Sequence, residues 1–208
     1  IYAKNNARKR CAGVAGMLQL SCTQKPASHD RQNGSKRCHG KGDFGMKVAM
    51  IGHKDFPSRS GGVEVMVGGL AASLVRRGYE VTVYNRGLQK GHNVYTTEGV
   101  QARRIFTFQK ASLNAMVYSF LATFDALTRD CDVIHYHAIG PSVPLVIAKL
   151  FGKHTVCTVH GLNWKVDKWG GFASAYLKLG ERVAAKYADD LVVLAESEWN
   201  YFQEKYDR

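Results

Sequence analysis

The chain has 208 residues, of which 45% are hydrophobic and 22% charged, values that fit one globular domain with or without a tail. It lacks the run of about 18 apolar residues that a transmembrane helix needs. The formal net charge is +12, and residues 1–45, with nine Lys/Arg and two Asp/Glu, hold +7 of it. Five widely spaced cysteines without a CxxC pair predict neither a disulfide framework nor a zinc knuckle. Cys131 and Cys157 lie in or beside apolar runs, where we expect small buried hydrophobes.

Residues 1–45 show no sustained hydrophobic period and are rich in polar, small and basic residues. Such a segment buries too little apolar surface to offset its ordering entropy, so we expect disorder. Because the chain starts with Ile1 and a well-organised domain opens at Met46, we also expect that residues 1–45 precede the native start. The alternative is a basic arm for nucleic acid or a membrane surface. No signal peptide is recognised, so the expected location is the cytoplasm.

The predicted domain, residues 46–208, begins with a strand–loop–helix–strand unit. Residues 47–51 form a short apolar run, and a loop rich in Pro, Ser and Gly follows. Residues 63–74 place their apolar side chains on one helical face, and Gly78 stands where a C-terminal cap belongs. Residues 80–84 are the second strand. This is the unit that builds parallel sheets.

Strands and helices continue to alternate along the rest of the chain. The sequence predicts a doubly wound, mostly parallel Rossmann-like sheet with helices on both faces. The further predicted strands are residues 102–108, 132–136, 155–159 and 191–194; the further helices are 113–127 with Ser112 as cap, 140–152 opening on Gly140-Pro141, 173–187, and one that ends near Tyr206.

Three loops, residues 52–62, 137–140 and 160–171, follow predicted strands at the edge where open α/β sheets bind ligands. In the first, Gly61-Gly62 directly precedes a helix, so backbone N–H groups there favour a phosphate or diphosphate. The same pair also fits a simple turn. Glu64 lies one turn into that helix, as a partner of the helix dipole or as a substrate contact. Neither a dinucleotide fingerprint nor a P-loop is present.

Histidines stand at two of these strand ends. His160 follows the fifth predicted strand and faces the predicted cleft, where an imidazole bonds a sugar hydroxyl or moves a proton. His135 and His137 form an H-x-H pair without a nearby third ligand, so no metal site is predicted. We count His137 among the candidate acceptor- or sugar-binding residues.

The segment LNWKVDKW, residues 162–169, is unusual for a plain connection. Trp164 and Trp169 offer flat surfaces on which sugar rings stack, and Lys168 suits a phosphate. The same tryptophans would also serve to pack the loop onto the domain. We therefore add Trp164, Lys168 and Trp169 to the candidate acceptor- or sugar-binding residues, together with Glu64.

Five motifs mark the predicted domain: MKVAMIG at 46–52, PSRSGGVE at 57–64, DVIHYHAIGP at 132–141, TVHG at 158–161 and ADDLVVLAES at 188–197. In this order and at these spacings they resemble the N-terminal domain of family 4 glycosyltransferases. The resemblance covers residues 46–208. The run NWKVDKWGGFASAYLKLGE at 163–181 is also similar to a subgroup that transfers rhamnose to polysaccharides.

The resemblance implies the GT-B architecture, in which two Rossmann-like domains face each other across a cleft. Gly61 and Gly62 match the loop near the donor diphosphate, and His160 matches the histidine beside the donor sugar. The acceptor would be a glycan or a lipid-linked glycan, at the inner membrane face in the latter case. The resemblance also implies a nucleotide-sugar donor, retention of configuration, and no metal or other cofactor. Because the donor-binding half has no counterpart here, we expect these 208 residues alone to be inactive.

Two other functions remain open from the residues themselves. A single-domain nucleotide-binding oxidoreductase would need the fingerprint glycines and an acidic residue after the second strand, where Asn85 and Arg86 stand instead. A basic module would bind a membrane or a nucleic acid through residues 1–45, and nucleic acid is the less expected partner of the two.

Overall fold

The computed structural model describes residues 2–5, 45–87, 94–108, 111–162 and 171–208. Within these ranges eight strands form one sheet, and five helices pack on it. The strands are β1 (Tyr2–Asn5), β2 (Lys47–Ile51), β3 (Glu80–Gly87), β4 (Val94–Thr97), β5 (Val100–Phe106), β6 (Val133–His137), β7 (His154–Val159) and β8 (Asp190–Val193). The helices are α1 (Gly62–Arg76), α2 (Ala111–Thr128), α3 (Leu145–Leu150), α4 (Gly171–Tyr187) and α5 (Glu196–Tyr206).

The sheet runs in the order β1-β8-β7-β6-β2-β3-β5-β4. Its six central strands are parallel to one another, whereas β1 and β4 pair antiparallel at the two edges. From β2 the chain progresses toward β3 and β5, and from β6 it progresses in the other direction, toward β7 and β8. The strand order therefore reverses between β2 and β6, where an open α/β sheet has its ligand crevice. The predicted doubly wound, mostly parallel architecture is confirmed.

The core has two layers because successive residues of the parallel strands point to opposite faces of the sheet. In β2, Val48 and Met50 pack on one face with Val67 and Leu74 of α1. The other face carries helices α2 to α5, and its core includes the largest buried aromatic side chains. These are Tyr84, Tyr118, Tyr136 and Phe202. Cys131 and Cys157 are buried with free thiols, as small hydrophobes are expected to be.

The hairpin formed by β4 and β5 differs from the prediction. Strand β4 was not predicted, and the strand expected over residues 102–108 spans Val100–Phe106 instead. Glu98 and Gly99 both have positive φ values, 52° and 79°, as the two-residue turn of a tight hairpin requires. The Glu-Gly pair is a weaker sequence signal than Asn-Gly, which explains why the hairpin was missed.

Two predicted helix starts are also wrong. Ser112 lies inside α2, which begins at Ala111, so it does not cap that helix. The short helix begins at Leu145 rather than at Gly140-Pro141. The Ser142 hydroxyl donates to the carbonyl oxygens of Ile139 and Gly180, and these bonds hold the preceding residues in a turn. The predicted cap at Gly78 does end its helix, with a φ of 89° and its N–H donating to Val75.

The expected disorder of residues 1–45 does not hold for Tyr2–Asn5, which form β1 against β8. The physical reason is that β8 would otherwise leave a row of unpaired backbone groups, and strand addition satisfies them without an apolar face. Residues 6–44 lie outside the described part of the chain. Among the helices that the structure describes, none combines the length and the apolar character needed to cross a membrane.

Candidate functional site

The crevice lies where β2 and β6 end side by side. Gly52 follows β2 with a φ of 132°, and a Cβ atom there would lie 2.1 Å from the carbonyl oxygen of His137. Only glycine therefore allows the two strand ends to approach this closely. Ala138, directly after β6, has a φ of 83°, which is strained for a residue with a side chain. Its N–H donates to the carbonyl of Thr158 and ties the end of β6 to β7.

The predicted Gly61-Gly62 loop does lead into α1, which begins at Gly62. Gly61 is extended, with φ −160° and ψ 164°, and no side chain caps the helix. The N–H groups of the first turn therefore have no side-chain acceptor at the cap position, a feature that favours an anionic ligand. A Cβ atom at Gly62 would meet nothing within 4 Å, so the space beside this residue is open.

Glu64 folds back over Gly61. One carboxylate oxygen, Oε1, accepts the backbone N–H of Lys54 at 3.2 Å. The other, Oε2, lies 2.5 Å from where a Cβ atom of Gly61 would stand. The side chain is buried and lies in the first turn of α1, where a negative charge is favourable. This position fits the dipole-partner interpretation of Glu64, and contact with a substrate stays a prediction.

His160 and His137 meet across β6 and β7. The Nδ1 atom of His137 lies 3.4 Å from Nε2 of His160. Burial lowers the pKa of His160, and the charge of Glu64 opposes that shift. Burial also holds the pKa of His137 well below its usual range, with smaller contributions from His135, His160 and His53. Gly61 is thus linked to Glu64 by close approach, Glu64 to His160 by charge, and His160 to His137 by the contact of their rings. A shared role of these residues and Gly62 in one binding site stays a prediction.

His135 lies within β6 and contacts the neighbouring strand β7. It is buried, its Nε2 atom lies 2.7 Å from Oγ1 of Thr158, and burial lowers its pKa to about 3. Among the described residues, no group of three His, Cys, Asp or Glu side chains is arranged to hold a metal ion.

Three side chains near the ends of β2 and β3 were not predicted as site residues: His53, Asn85 and Arg86. His53, next to Gly52, is buried, and its Nε2 atom lies 2.9 Å from Oδ1 of Asn85. Burial lowers the pKa of His53 to about 4. Arg86, at the end of β3, donates to the carbonyl of Gly52 at 2.9 Å. A motif could not have revealed them, because they converge only when β2 and β3 pair.

Of His53, Asn85 and Arg86, only Arg86 carries a permanent charge. Its guanidinium also donates to Oδ1 of Asn114 at 3.3 Å and lies 5.2 Å from the ring centre of Tyr118. Burial lowers its pKa, whereas Tyr118 and Glu64 raise it. The cation therefore stands in the electrostatic environment of Glu64 and sets part of the potential in the crevice. Trp164, Lys168 and Trp169 lie outside the described residues.

Residues 60–208 match the sequence profile of Glycosyltransferase Family 4. The chain belongs to this family. That membership disfavours the oxidoreductase and the basic binding module as the function of the folded domain. No curated protein sequence gives a significant match.

The sheet and its helices superpose on a solved structure. A sucrose-phosphate synthase from Thermosynechococcus elongatus superposes with a TM-score of 0.64 at 16% identity, over 77% of this chain and 45% of that one. An E. coli structure described as trehalose-6-phosphate bound with UDP-2-fluoro glucose gives a TM-score of 0.47 at 11% identity, over 76% and 42% of the two chains. The chain thus spans less than half the length of these solved proteins.

Proposed function

We propose that this domain forms the acceptor side of a glycosyltransferase that moves a sugar from a nucleotide-sugar donor to a glycan or a lipid-linked acceptor. The observation that carries the proposal is that α1 begins without a side-chain cap and that Glu64, in its first turn, interacts electrostatically with His160 after β7. Membership of Glycosyltransferase Family 4 supports the reaction class.

The crevice suits a sugar diphosphate for electrostatic reasons. The leaving diphosphate gains negative charge as the glycosidic bond breaks, and preorganised N–H groups stabilise such charge more than mobile water does. The open space at Gly62 lets an anion approach the first turn of α1. His160 is close enough to Glu64 for that charge to raise its pKa, and we expect it to contact the donor sugar near the reacting carbon.

The finer assignments rest on the family resemblance of the motifs. We propose a hexosyl-type transfer with retention of configuration, without a metal ion, in polysaccharide biosynthesis, with rhamnosyl transfer as the first donor chemistry to test. The reaction would take place in the cytoplasm, at the inner membrane face where the acceptor is lipid-linked. We further propose that these 208 residues do not transfer sugar by themselves, because the shared part covers only 45% of the sucrose-phosphate synthase chain.

The test measures the release of nucleoside diphosphate from a panel of nucleotide sugars, with and without glycan and lipid-linked acceptors, by the protein that carries this domain. Acceptor-dependent release with one donor is the expected result. His160→Ala should lower the rate roughly 100-fold, the usual cost of removing one polar group aimed at a transition state. Thermal melting of the variant checks that the fold is retained. Absence of release with every donor, or saturable NAD(P)H binding instead, would overturn the proposal.

A further inference from the structure

A pair of neighbouring strands brings three imidazoles into a row. His135 and His137 are two residues apart in β6, so their side chains point to the same face of the sheet. Their ring centres lie 4.1 Å apart, and the ring planes are inclined by 28°. His160 follows β7, and its ring centre lies 5.7 Å from that of His137. The only polar contact between the last two rings joins Nδ1 of His137 to Nε2 of His160, among the residues that the structure describes.

His137 is uncharged in this environment. Its side chain is fully buried, and burial together with the neighbouring imidazoles keeps its pKa well below the usual range. A neutral imidazole carries one N–H and one acceptor nitrogen. The question is therefore which ring nitrogen of His137 holds the proton.

The surroundings of Nε2 decide this. That atom is buried, and no described group lies within hydrogen-bonding distance of it. A proton on Nε2 would leave a buried donor without a partner, and such donors are rarer in proteins than buried acceptors without one. A proton on Nδ1 leaves only an acceptor unpaired, and it lets the N–H donate toward Nε2 of His160.

We propose that His137 is a positioning residue that fixes the tautomer of His160: the Nδ1–H of His137 donates to Nε2 of His160, which therefore carries its own proton on Nδ1. The described hydrogen bond of His160 uses Nε2, so in this tautomer the Nδ1–H is the group that His160 would offer to a ligand. His160 then acts on the crevice as a hydrogen-bond donor, and its basic nitrogen is turned away from the reacting atoms.

The consequence of this tautomer for sugar transfer rests on the proposed function, which it makes more specific. A donor N–H in the crevice suits a hydroxyl or ring oxygen of the donor sugar, or an oxygen that becomes negative as the leaving group departs. A general base would need an unprotonated nitrogen on the same side. The geometry therefore assigns His160 to binding and charge stabilisation, and it leaves removal of the acceptor proton to another group.

The tautomer can be measured without any sugar. Long-range ¹H–¹⁵N correlation spectra of the ¹⁵N-histidine-labelled 208-residue chain at pH 7.5 distinguish Nδ1–H from Nε2–H, and His160→Gln assigns the signals. We expect the Nδ1–H form for His160 in the unsubstituted chain. An Nε2–H form would overturn the inference at once, whether or not any variant folds.

Two substitutions at position 137 then test the cause. His137→Asn keeps an N–H close to the place of Nδ1 and should preserve the Nδ1–H form of His160, whereas His137→Phe removes the donor and should shift His160 to the Nε2–H form. His135→Phe is the matched control and should leave the His160 tautomer unchanged. A folded His137→Phe chain with unchanged His160 signals would contradict the inference. Because the readout involves no transfer, its failure is distinguishable from a failure to release nucleoside diphosphate.

Discussion

At the scale of single residues, Gly61 and Gly62 are glycines for different reasons. A side chain at 61 would strike the Glu64 carboxylate, whereas one at 62 would enter open space. Gly62→Ala should therefore leave the free protein as stable as before, or slightly more so, because alanine favours a helix. In the proposed function its methyl group would occupy the path of the diphosphate. We expect the KM for the donor to rise about tenfold, the equivalent of one charge-assisted hydrogen bond.

Gly69 provides the matched control for Gly62. It is an exposed position of α1, and a Cβ atom there would also meet nothing within 4 Å. Gly69→Ala should stabilise the helix by about 1 kcal/mol and leave the donor KM unchanged. Thermal melts and donor titrations of both variants make the comparison. Equal KM values for the protein that carries this domain with and without Gly62→Ala would argue against anion binding at the start of α1.

At the scale of elements, Asp125 joins α2 to two strands. It accepts hydrogen bonds from Tyr84 of β3, from the buried Arg103 of β5, and from Arg129 directly after α2. Burial would raise the pKa of Asp125, but these bonds outweigh it and hold the pKa below the ordinary value. Asp125→Asn would leave the Arg103 guanidinium buried without its charge partner. We expect a loss of about 3 kcal/mol in the free energy of unfolding, measured by urea denaturation.

Asp130 tests whether that loss comes from burial. It pairs with Lys153, yet its side chain is 86% exposed, and its φ of 54° is one that asparagine tolerates. Asp130→Asn should therefore leave the midpoint of denaturation almost unchanged. If both variants lost the same stability, a general effect of charge would explain the result better than the buried contact does.

Some strands and site residues could be predicted from the sequence alone, and others could not. The runs 47–51 and 155–159 predicted buried parallel strands correctly, because apolar continuity is the direct signature of a strand covered on both faces. The hairpin strand β4 and the edge strand β1 escaped prediction because backbone pairing and turn geometry stabilise them. For the candidate site, the sequence pointed to His160 and Gly61-Gly62 from their places after a strand or before a helix, and their role in binding stays a prediction. Arg86 and His53 were not, since only the pairing of β2 with β3 brings them together.

At the scale of the whole molecule, three buried histidines make stability depend on pH. Burial lowers the pKa of His53 to about 4 and of His135 to about 3, and holds that of His137 well below its usual range. In the unfolded chain each titrates near the ordinary value of about 6.5. Between these values the unfolded state binds more protons, so stability is complete above about pH 6.5 and falls as the pH drops toward 4.

Each of these histidines should remove about 2 kcal/mol from the free energy of unfolding between pH 7 and pH 5. His53→Gln isolates the contribution of His53 to this loss, because the glutamine amide can still donate to Asn85 but does not titrate. Urea denaturation followed by circular dichroism at the two pH values gives the difference for each chain. The variant should lose about 2 kcal/mol less than the parent over this interval, whatever its stability at pH 7. Identical losses would mean that folded His53 takes up its proton over the same pH range as in the unfolded chain, and burial would then not keep this imidazole neutral at pH 5.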